Sequence, residues 1–218
     1  MTSPESRRAA MVERQIERRG VCDARVLAAM RATPRERFVE EATAEFAYDD
    51  SPLRIGEGQT ISQPYIVAVM IEAAAIEPGA RVLEIGCGSG YAAAVMSLIA
   101  REVFTIDRHA ALVDQARARF ADLGYGNIEA RAGDGTLGWP EAAPFDAILV
   151  AAAPPEVPAS LRDQLKVGGR LVVPVGGSDY GQRLTKITRR SDRFEEEDLG
   201  AVAFVPLIGE QGWEDGAT

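Results

Sequence analysis

The sequence predicts an α/β protein: a doubly wound, mostly parallel sheet of seven strands, with an N-terminal helical cap and a late antiparallel hairpin. Short apolar runs alternate with helical patterns along most of the chain, which is typical of βαβ units. The first run, Val82 to Ile85, is followed by glycines at alternate positions and then by a helical pattern from Tyr91. A glycine turn between a buried strand and a helix lets the backbone come close to a ligand.

The composition fits one folded unit with a full apolar core. The chain has 218 residues, of which 46% are hydrophobic, and its formal net charge is −9. Phosphate backbones repel such an acidic chain, so we expect no nucleic-acid partner. The N-terminus lacks the apolar stretch of a secretory signal, no run reaches membrane-spanning length, and the cysteines show no metal-ligand spacing. We therefore expect a cytoplasmic protein with no membrane partner and no metal.

The N-terminal segment predicts three short helices that cap the sheet. The first covers residues 9–18, and Asp23 is the expected N-cap of the second. Thr33 is the expected N-cap of the third, with Glu36 completing a capping box.

A polar segment punctuated by glycine and proline follows, over residues 48–64. A segment of this length outside regular structure is usually a binding loop or disordered. The apolar stripe from Val67 to Ala74 then predicts a helix that begins near Pro64.

The remainder of the chain predicts six further strands and the helices between them. The strands are expected at 102–106, 127–132, 147–152, 171–175, 184–188 and 201–205, and the helices at 91–100, 110–123 and 160–165. The paired Gly168 and Gly169 are expected to end the last of these helices. The last two strands are expected to pair as an antiparallel hairpin, with the acidic run Glu195 to Asp198 in a solvated turn.

Acidic side chains stand at three successive strand ends. Glu84 begins the pattern E-x-G-x-G-x-G, Asp107 ends the second strand, and Asp134 lies between glycines after the third. Each alone could equally hold a turn or cap a helix. Because open α/β sheets bind ligands at the carboxyl ends of their strands, the joint placement favours a cofactor site, in which Asp107 can accept hydrogen bonds from ribose hydroxyls.

Several segments in register resemble one known family. In order they are TISQP, VLEIGCGSGY, GDG, PFDAILVAAAPPEVP, QLKVGGRLVVPVG and FVPL. Their order resembles the protein-L-isoaspartate (D-aspartate) O-methyltransferase family, and the resemblance runs from about Met11 to Leu207. The glycine spacing is similar to motif I of class I S-adenosylmethionine-dependent methyltransferases.

The resemblance implies a Rossmann-like class I methyltransferase fold, with S-adenosylmethionine as cofactor and isoaspartyl-containing proteins and peptides as substrates. We expect a monomer with a single domain over residues 1–218. Residues 1–78 would supply the N-terminal helices and a lid loop over substrate and cofactor, and residues 79–218 would form the Rossmann-like core.

The resemblance also implies site residues. The serine of the family's T-I-S motif is its active-site residue and matches Ser62, although local sequence alone favours an N-cap role for this serine. Cofactor-binding residues are expected at Gln59, Thr60, Ile61, Ser62, Glu84, Gly86, Gly88, Ser89, Gly90, Asp107, Asp134 and Gly135. Two positions depart from the family, Cys87 and Ala151, where threonine is common.

The implied reaction needs no general base. An isoaspartyl residue exposes a free α-carboxylate whose pKa, by analogy with a chain terminus, is about 3.5, so it is an ionised nucleophile at neutral pH. A serine hydroxyl can donate one hydrogen bond to it without the strong stabilisation that an arginine would impose. The single histidine, His109, accordingly has no predicted role.

Alternative functions remain open on sequence alone. A methyltransferase of the same fold could act on a small carboxylate or on one dedicated partner protein, and a cofactor-binding protein could act without catalysis. A nicotinamide-dependent oxidoreductase is disfavoured, because Tyr91 occupies the position of the third glycine in the dinucleotide fingerprint.

Overall fold

The computed structural model describes residues 3–177 and 181–216. In chain order its α-helices and strands are α1 Pro4–Met11, α2 Ala24–Ala32, β1 Leu53–Gly56, β2 Gln59–Ile61, α3 Pro64–Ala74, β3 Arg81–Ile85, α4 Tyr91–Ser97, β4 Glu102–Asp107, α5 Ala110–Leu123, β5 Ile128–Ala132, β6 Phe145–Val150, α6 Ala159–Asp163, β7 Leu165–Val175, β8 Gln182–Arg189 and β9 Phe194–Val202. None of the helices in these ranges is both long and apolar enough to cross a membrane.

The main sheet has seven strands in the order β5-β4-β3-β6-β7-β8-β9. Strands β3 to β7 pair in parallel, whereas β8 pairs antiparallel with both β7 and β9. The order reverses direction between β3 and β6, so the carboxyl ends of β3, β4 and β6 meet at a topological switch point. This confirms the predicted doubly wound sheet and its late antiparallel hairpin.

The central strands divide the apolar interior into two cores. In β3, Val82 belongs to one core, while Leu83 and Ile85 belong to the other. The first core also contains side chains of α2, α3, α4 and α5, and the second contains Leu161 of α6. Because successive side chains of a strand point to opposite faces, a strand buried on both sides is apolar without alternation, as β3 is.

The N-terminal cap confirms one predicted helix start and corrects two others. The first helix begins earlier than expected, at Pro4, and the turns that continue it end at Gly20, whose φ is +103°. Asp23 caps α2 as predicted, since its Oδ1 accepts hydrogen bonds from the backbone N–H groups of Arg25 at 2.8 Å and Val26 at 3.3 Å.

The predicted capping box at Thr33 and Glu36 is wrong. Thr33 is instead the C-cap of α2, where its hydroxyl donates a hydrogen bond to the carbonyl of Ala29 at 2.9 Å. The Glu36 carboxylate accepts a hydrogen bond from the hydroxyl of Tyr48. Thr33 is thus bonded back to its own helix and Glu36 to a residue of another segment, and only a short 3₁₀ turn, Arg35–Phe38, forms here.

The segment 48–64 contains an antiparallel hairpin that the sequence did not predict. Strands β1 and β2 pair with each other and not with the main sheet. The turn between them has positive φ at Gly56, Glu57 and Gly58. Its strands are only four and three residues long, so the alternation of Leu53 and Ile55 with polar neighbours is too short to indicate a strand by itself.

Two expectations near the C-terminus are wrong as well. Gly168 and Gly169 lie inside β7 rather than at a helix end. The acidic run Glu195 to Asp198 belongs to the edge strand β9, and not to a turn. Two of its carboxylates pair with basic residues of β8, Glu197 with Lys186 and Asp198 with Arg183. Opposite charges across an antiparallel pair stabilise it, and a charged edge strand resists pairing with other chains.

We expect Asp23→Ala to destabilise the protein by about 1 kcal/mol, because it removes the side-chain acceptor at the N-terminus of α2. Asp23→Asn is the matched control, since asparagine retains the capping oxygen. Urea unfolding of both variants checks this. An equal loss in the two variants would assign the effect to the ion pair of Asp23 with Arg25, and not to the cap.

Candidate active site

A cavity of about 390 Å³ lies at the carboxyl ends of β3, β4 and β6. Its walls come from β2 and the residue after it, the glycine turn, the end of β4 and the segment 205–208. Of the residues predicted to bind a cofactor, the lining includes Gln59, Thr60, Ile61, Ser62, Glu84, Gly86, Gly88, Ser89, Asp107 and Gly135. Its volume lies within the usual range of small-molecule sites.

The glycine turn is tied to the neighbouring strand by its own backbone. The N–H groups of Gly86 and Cys87 donate to the carbonyl of Ile106, at 2.8 and 3.1 Å. The N–H of Gly88 donates to the carboxylate Oδ2 of Asp107 at 2.8 Å. The turn is thus held open beside β4 before any ligand binds.

At Gly86 and Gly88 of the turn, any side chain would come too close to neighbouring residues. A Cβ at Gly86 would lie 3.3 Å from the Cβ of Ala151, and one at Gly88 would lie 3.2 Å from Cδ1 of Ile55. Both glycines also have positive φ, +92° and +51°, where a side chain adds strain. The cradle therefore requires glycine for steric and conformational reasons.

Asp107 keeps acceptor capacity for a ligand. It is largely buried, and its second oxygen, Oδ1, accepts a hydrogen bond from the backbone N–H of His109 at 3.0 Å. Together with the bond from Gly88, this uses two of about four lone-pair positions on the carboxylate. The remaining ones can accept hydrogen bonds from hydroxyl groups in the cavity.

Glu84 presents a carboxyl group that is protonated at neutral pH. Burial raises the pKa of Glu84 to about 8, and the nearby charge of Asp107 acts in the same direction. The hydroxyl of Thr105 donates a hydrogen bond to Glu84 at 2.6 Å, which opposes this rise. A positive charge placed in the cavity would lower the pKa of Glu84 and ionise it.

Gly90 and Asp134 do not line the cavity. Gly90 allows α4 to pack closely on α5, because a Cβ there would lie 2.7 Å from the ring of Phe120. Asp134 accepts hydrogen bonds from the N–H groups of Thr136 and Glu210, each at 2.8 Å. The contacts of these two residues hold the elements around the cavity together.

Ser62 is not the N-cap of α3. That position belongs to Gln63, which makes no side-chain capping bond. The carbonyl of Ser62 accepts a hydrogen bond from Arg35, but among the described residues its hydroxyl has no hydrogen-bond partner. The hydroxyl is thus free to bind a ligand.

A second groove, of about 640 Å³, shares a wall with the first cavity. It is lined by Pro52, Thr60, Ser62, Gln63, Ile66, Ala151, Ala201, Val202, Ala203, Phe204 and Val205. The residues common to both spaces are Thr60, Ser62, Ala151 and Val205. Ser62 therefore lies where the two spaces meet, and none of the residues lining the groove is charged.

The C-terminal segment supplies wall residues that the sequence did not point to. Asp215 lines the first cavity and forms an ion pair with Arg108 at 3.1 Å. Trp213 anchors the segment, since its indole Nε1 donates to the carbonyl of Ala153 at 2.9 Å. Trp213 was the sequence feature that could have indicated a packed segment here, because a large aromatic residue is usually at least partly buried. The local sequence did not indicate which surface it would contact.

The polar side chains on the cavity walls include the carboxylates of Glu84, Asp107 and Asp215, several hydroxyls, and the side chains of Arg108 and His109. Within residues 3–177 and 181–216, no group of three or more His, Cys, Asp or Glu side chains is arranged to hold a metal ion. Cys87 lies in the glycine turn, but burial raises the pKa of its thiol well above the usual value, so it remains an uncharged packing group.

Comparisons with known proteins agree with one another. The profile of the protein-L-isoaspartate(D-aspartate) O-methyltransferase (PCMT) family matches residues 6–212. A protein-L-isoaspartate O-methyltransferase of Brucella anthropi is 55% identical over 216 residues, which is 99% of either chain. A protein-L-isoaspartate O-methyltransferase 1 of Rhodopseudomonas palustris is 59% identical over 213 residues, covering 97% of this chain and 87% of that protein.

Solved structures show the same similarity. One protein-L-isoaspartate O-methyltransferase superposes with a TM-score of 0.86 at 30% identity, over 94% of this chain and 67% of its own. A second, from Plasmodium falciparum, superposes with a TM-score of 0.81 at 27% identity, over 92% of this chain and 98% of its own. It is described as a β-aspartate methyltransferase in complex with S-adenosyl-L-homocysteine.

We expect Glu84→Gln to change how stability depends on pH. Between about pH 4.5 and about pH 8 the folded wild type holds a proton on Glu84 that the unfolded chain has lost. The free energy of unfolding of the wild type, relative to the variant, should therefore fall as pH rises through this window. Urea unfolding at a series of pH values measures the difference, with Glu129→Gln at an exposed strand position as control. A difference that rises or stays flat would contradict the buried, protonated carboxyl.

Proposed function

The chain belongs to the protein-L-isoaspartate(D-aspartate) O-methyltransferase family, and we propose that it methylates the α-carboxylate of L-isoaspartyl residues in damaged proteins and peptides. S-adenosylmethionine is the methyl donor. One observation carries the proposal: the free hydroxyl of Ser62 lies where the cofactor-sized cavity meets an uncharged groove. A carboxylate bound in the groove can meet a methyl donor bound in the cavity at that point.

The first cavity fits S-adenosylmethionine. Asp107 would bind ribose hydroxyls, and Gly86 and Gly88 leave space that a side chain would occupy. Glu84 would face a cationic ligand that favours its ionised form. When bound, the cofactor supplies a methyl group on a positively charged sulfur, which a carboxylate can attack directly.

The other predicted cofactor residues would contribute in two ways. Gln59, Thr60, Ile61 and Ser62 line the cavity from the hairpin side, as a lid loop would. Ser89 and Gly135 complete the wall beside the turn and after β5. We propose that Gly90 and Asp134 act indirectly, by holding α4 against α5 and the C-terminal segment against β5.

Ser62 would orient the substrate and need not take a proton from it. The α-carboxylate is already ionised at neutral pH, so its nucleophilic oxygen requires position rather than activation. A single hydrogen bond from the hydroxyl can fix one oxygen and leave the other free to attack. The apolar residues Val205 and Ala151, which flank the junction, would limit the access of water.

The second groove favours a peptide over a small carboxylate. Its walls are mostly apolar, whereas a site for a small carboxylate would need charged or multiple polar groups to hold it. A dedicated small acceptor or one partner protein remains the alternative that the assay below distinguishes.

We propose a monomer that acts in the cytoplasm and does not take nucleic acid as substrate. The net charge of −9 argues against a nucleic-acid substrate, and the free thiols of Cys22 and Cys87 fit a reducing compartment. We also propose a single domain, in which residues 1–78 supply the cap and lid and residues 79–218 the core. One continuous apolar cluster that runs from Met11 to Leu184 supports the single domain.

We expect methyl transfer from S-adenosylmethionine to a short peptide that contains L-isoaspartate, and none to the same peptide with normal aspartate. The measurement is base-labile label incorporated from methyl-labelled cofactor. If the protein binds cofactor but labels neither peptide, the acceptor assignment is wrong, and small carboxylates and partner proteins become the candidates.

We expect Ser62→Ala to lower kcat by roughly 10- to 100-fold, because a hydrogen bond to a charged group contributes about 1.5–3 kcal/mol. Affinity for S-adenosylhomocysteine should stay nearly unchanged. Ser191→Ala, in the exposed turn between β8 and β9, controls for loss of a serine hydroxyl. Steady-state kinetics with the isoaspartyl peptide checks both variants, and an unchanged kcat in Ser62→Ala would remove the assigned role.

A further inference from the structure

Arg35 carries a buried positive charge that the reaction described so far does not use. Its side chain is fully buried within the N-terminal cap, and no carboxylate contacts it among the described residues. Burial lowers the pKa of Arg35, but only to about 10, so the guanidinium stays charged at neutral pH. A buried charge without a counter-ion destabilises a fold, and a well-packed apolar side chain is often at least as stable. Stability therefore does not account for an arginine at this position.

The guanidinium joins three separate segments. Its Nε donates to the carbonyl of Ala47 at 2.8 Å, and its Nη2 donates to the carbonyl of Ser62 at 2.8 Å. It also stacks over the ring of Tyr91, with 4.8 Å between the guanidinium carbon and the ring centroid. Tyr91 is the first residue of α4 and lines the cofactor cavity. Arg35 is thus in contact with both sides of the site.

The carbonyl of Ser62 depends on this contact. The hydrogen bonds of α3 begin with the carbonyl of Gln63, which accepts from the N–H of Val67 at 3.2 Å. The preceding carbonyl, that of Ser62, therefore has no partner within the helix, and Arg35 supplies one. Fixing this peptide plane fixes the position of the Ser62 Cα, from which the side chain leaves the backbone.

We propose that Arg35 is a positioning residue for methyl transfer, which holds the backbone of Ser62 against Tyr91 so that the Ser62 hydroxyl faces the junction of cavity and groove. This inference rests on the proposed function. It also gives the N-terminal cap a role in the reaction, because the cap contributes the side chain that orients the lid.

The geometry requires an arginine. A guanidinium offers several N–H donors in one rigid plane, so it can donate to two carbonyls and stack on a ring at the same time. A lysine ammonium is a compact charge on a flexible stem and cannot reproduce this arrangement. Lysine would keep the positive charge but lose the planar set of N–H donors. Methionine would fill a similar volume but lose both the charge and the donors.

The test compares Arg35→Lys and Arg35→Met with the wild type, using the isoaspartyl peptide at a temperature where all variants are folded. We expect kcat to fall by about 10- to 100-fold in both variants, since small misplacements of a reacting group have effects of this size. The dissociation constant for S-adenosylhomocysteine should change by less than about threefold, which in free energy is less than half of even a tenfold loss in kcat. Val26→Ala, at a buried position of α2, should lose stability but keep kcat.

Combination with Ser62→Ala separates positioning from general damage. If Arg35 acts through the Ser62 hydroxyl, its effect should largely disappear once that hydroxyl is absent. The kcat of the double variant Arg35→Met/Ser62→Ala should then be less than about twofold lower than that of Ser62→Ala alone. Full additivity of the two losses would overturn the proposal. So would a wild-type kcat in either Arg35 variant, or failure of both variants to fold, which would make Arg35 a requirement of the fold.

Hydrogen exchange gives a readout that needs no turnover. We expect amides in residues 59–66 to exchange faster in Arg35→Met than in the wild type, while those of α5 remain unchanged. Unchanged exchange at residues 59–66 would contradict the role of Arg35 even if activity fell. A wild type that does not methylate the isoaspartyl peptide would instead refute the proposed function, and the exchange result would still decide whether Arg35 orders the loop.

Discussion

The hydrogen bond from the N–H of Gly88 to the carboxylate of Asp107 holds together the two strand ends on which the site depends. Strands β3 and β4 pair in parallel with Ile85 opposite Ile106, so the turn after β3 starts level with the end of β4. The backbone of Gly86 then reaches the carbonyl of Ile106, and the carboxylate completes the attachment. The group that would bind the cofactor's ribose therefore also maintains the shape of the cradle. A carboxylate can both bind the ribose and hold the turn, because each of its oxygens accepts more than one hydrogen bond.

Buried charge is concentrated around this site. Among the described residues, the fully or largely buried side chains of the acidic and basic types are Arg35, Glu84 and Asp107. Burial disfavours the charged forms of Glu84 and Arg35, and Glu84 keeps a proton, whereas Arg35 donates to backbone carbonyls. The Asp107 carboxylate accepts hydrogen bonds from backbone N–H groups. Elsewhere the ion pairs lie mostly at the surface, where they contribute little to stability. Ionisable side chains are thus buried, at a cost in folding free energy, where they can orient or bind a ligand.

The errors of sequence reasoning have identifiable physical causes. Glu195 to Asp198 resembled a solvated turn because its period-2 pattern has no apolar member, yet cross-strand pairing with basic residues of β8 stabilises it as a strand. The hairpin of β1 and β2 was missed because its two short strands pair only with each other. Thr33 looked like an N-cap, but a threonine hydroxyl can also bond the carbonyl four residues before it, and this bond formed. The first error came from a partner on the neighbouring strand, whereas the other two came from local pairings that the residue types alone did not distinguish from alternatives.

The sequence by itself determined the parallel core, the glycine turn and Asp107 at the end of the next strand, because apolar runs, glycine conformations and strand ends are local properties. It determined Ser62 as a candidate only through resemblance to a family, since a serine before a helix is also a common cap. Only the tertiary structure decided that Gln63 takes the cap position, that Ser62 lies between two cavities, and that Arg35 holds its carbonyl. These contacts join residues far apart in the chain, and the packing of the N-terminal cap against the sheet brings them together.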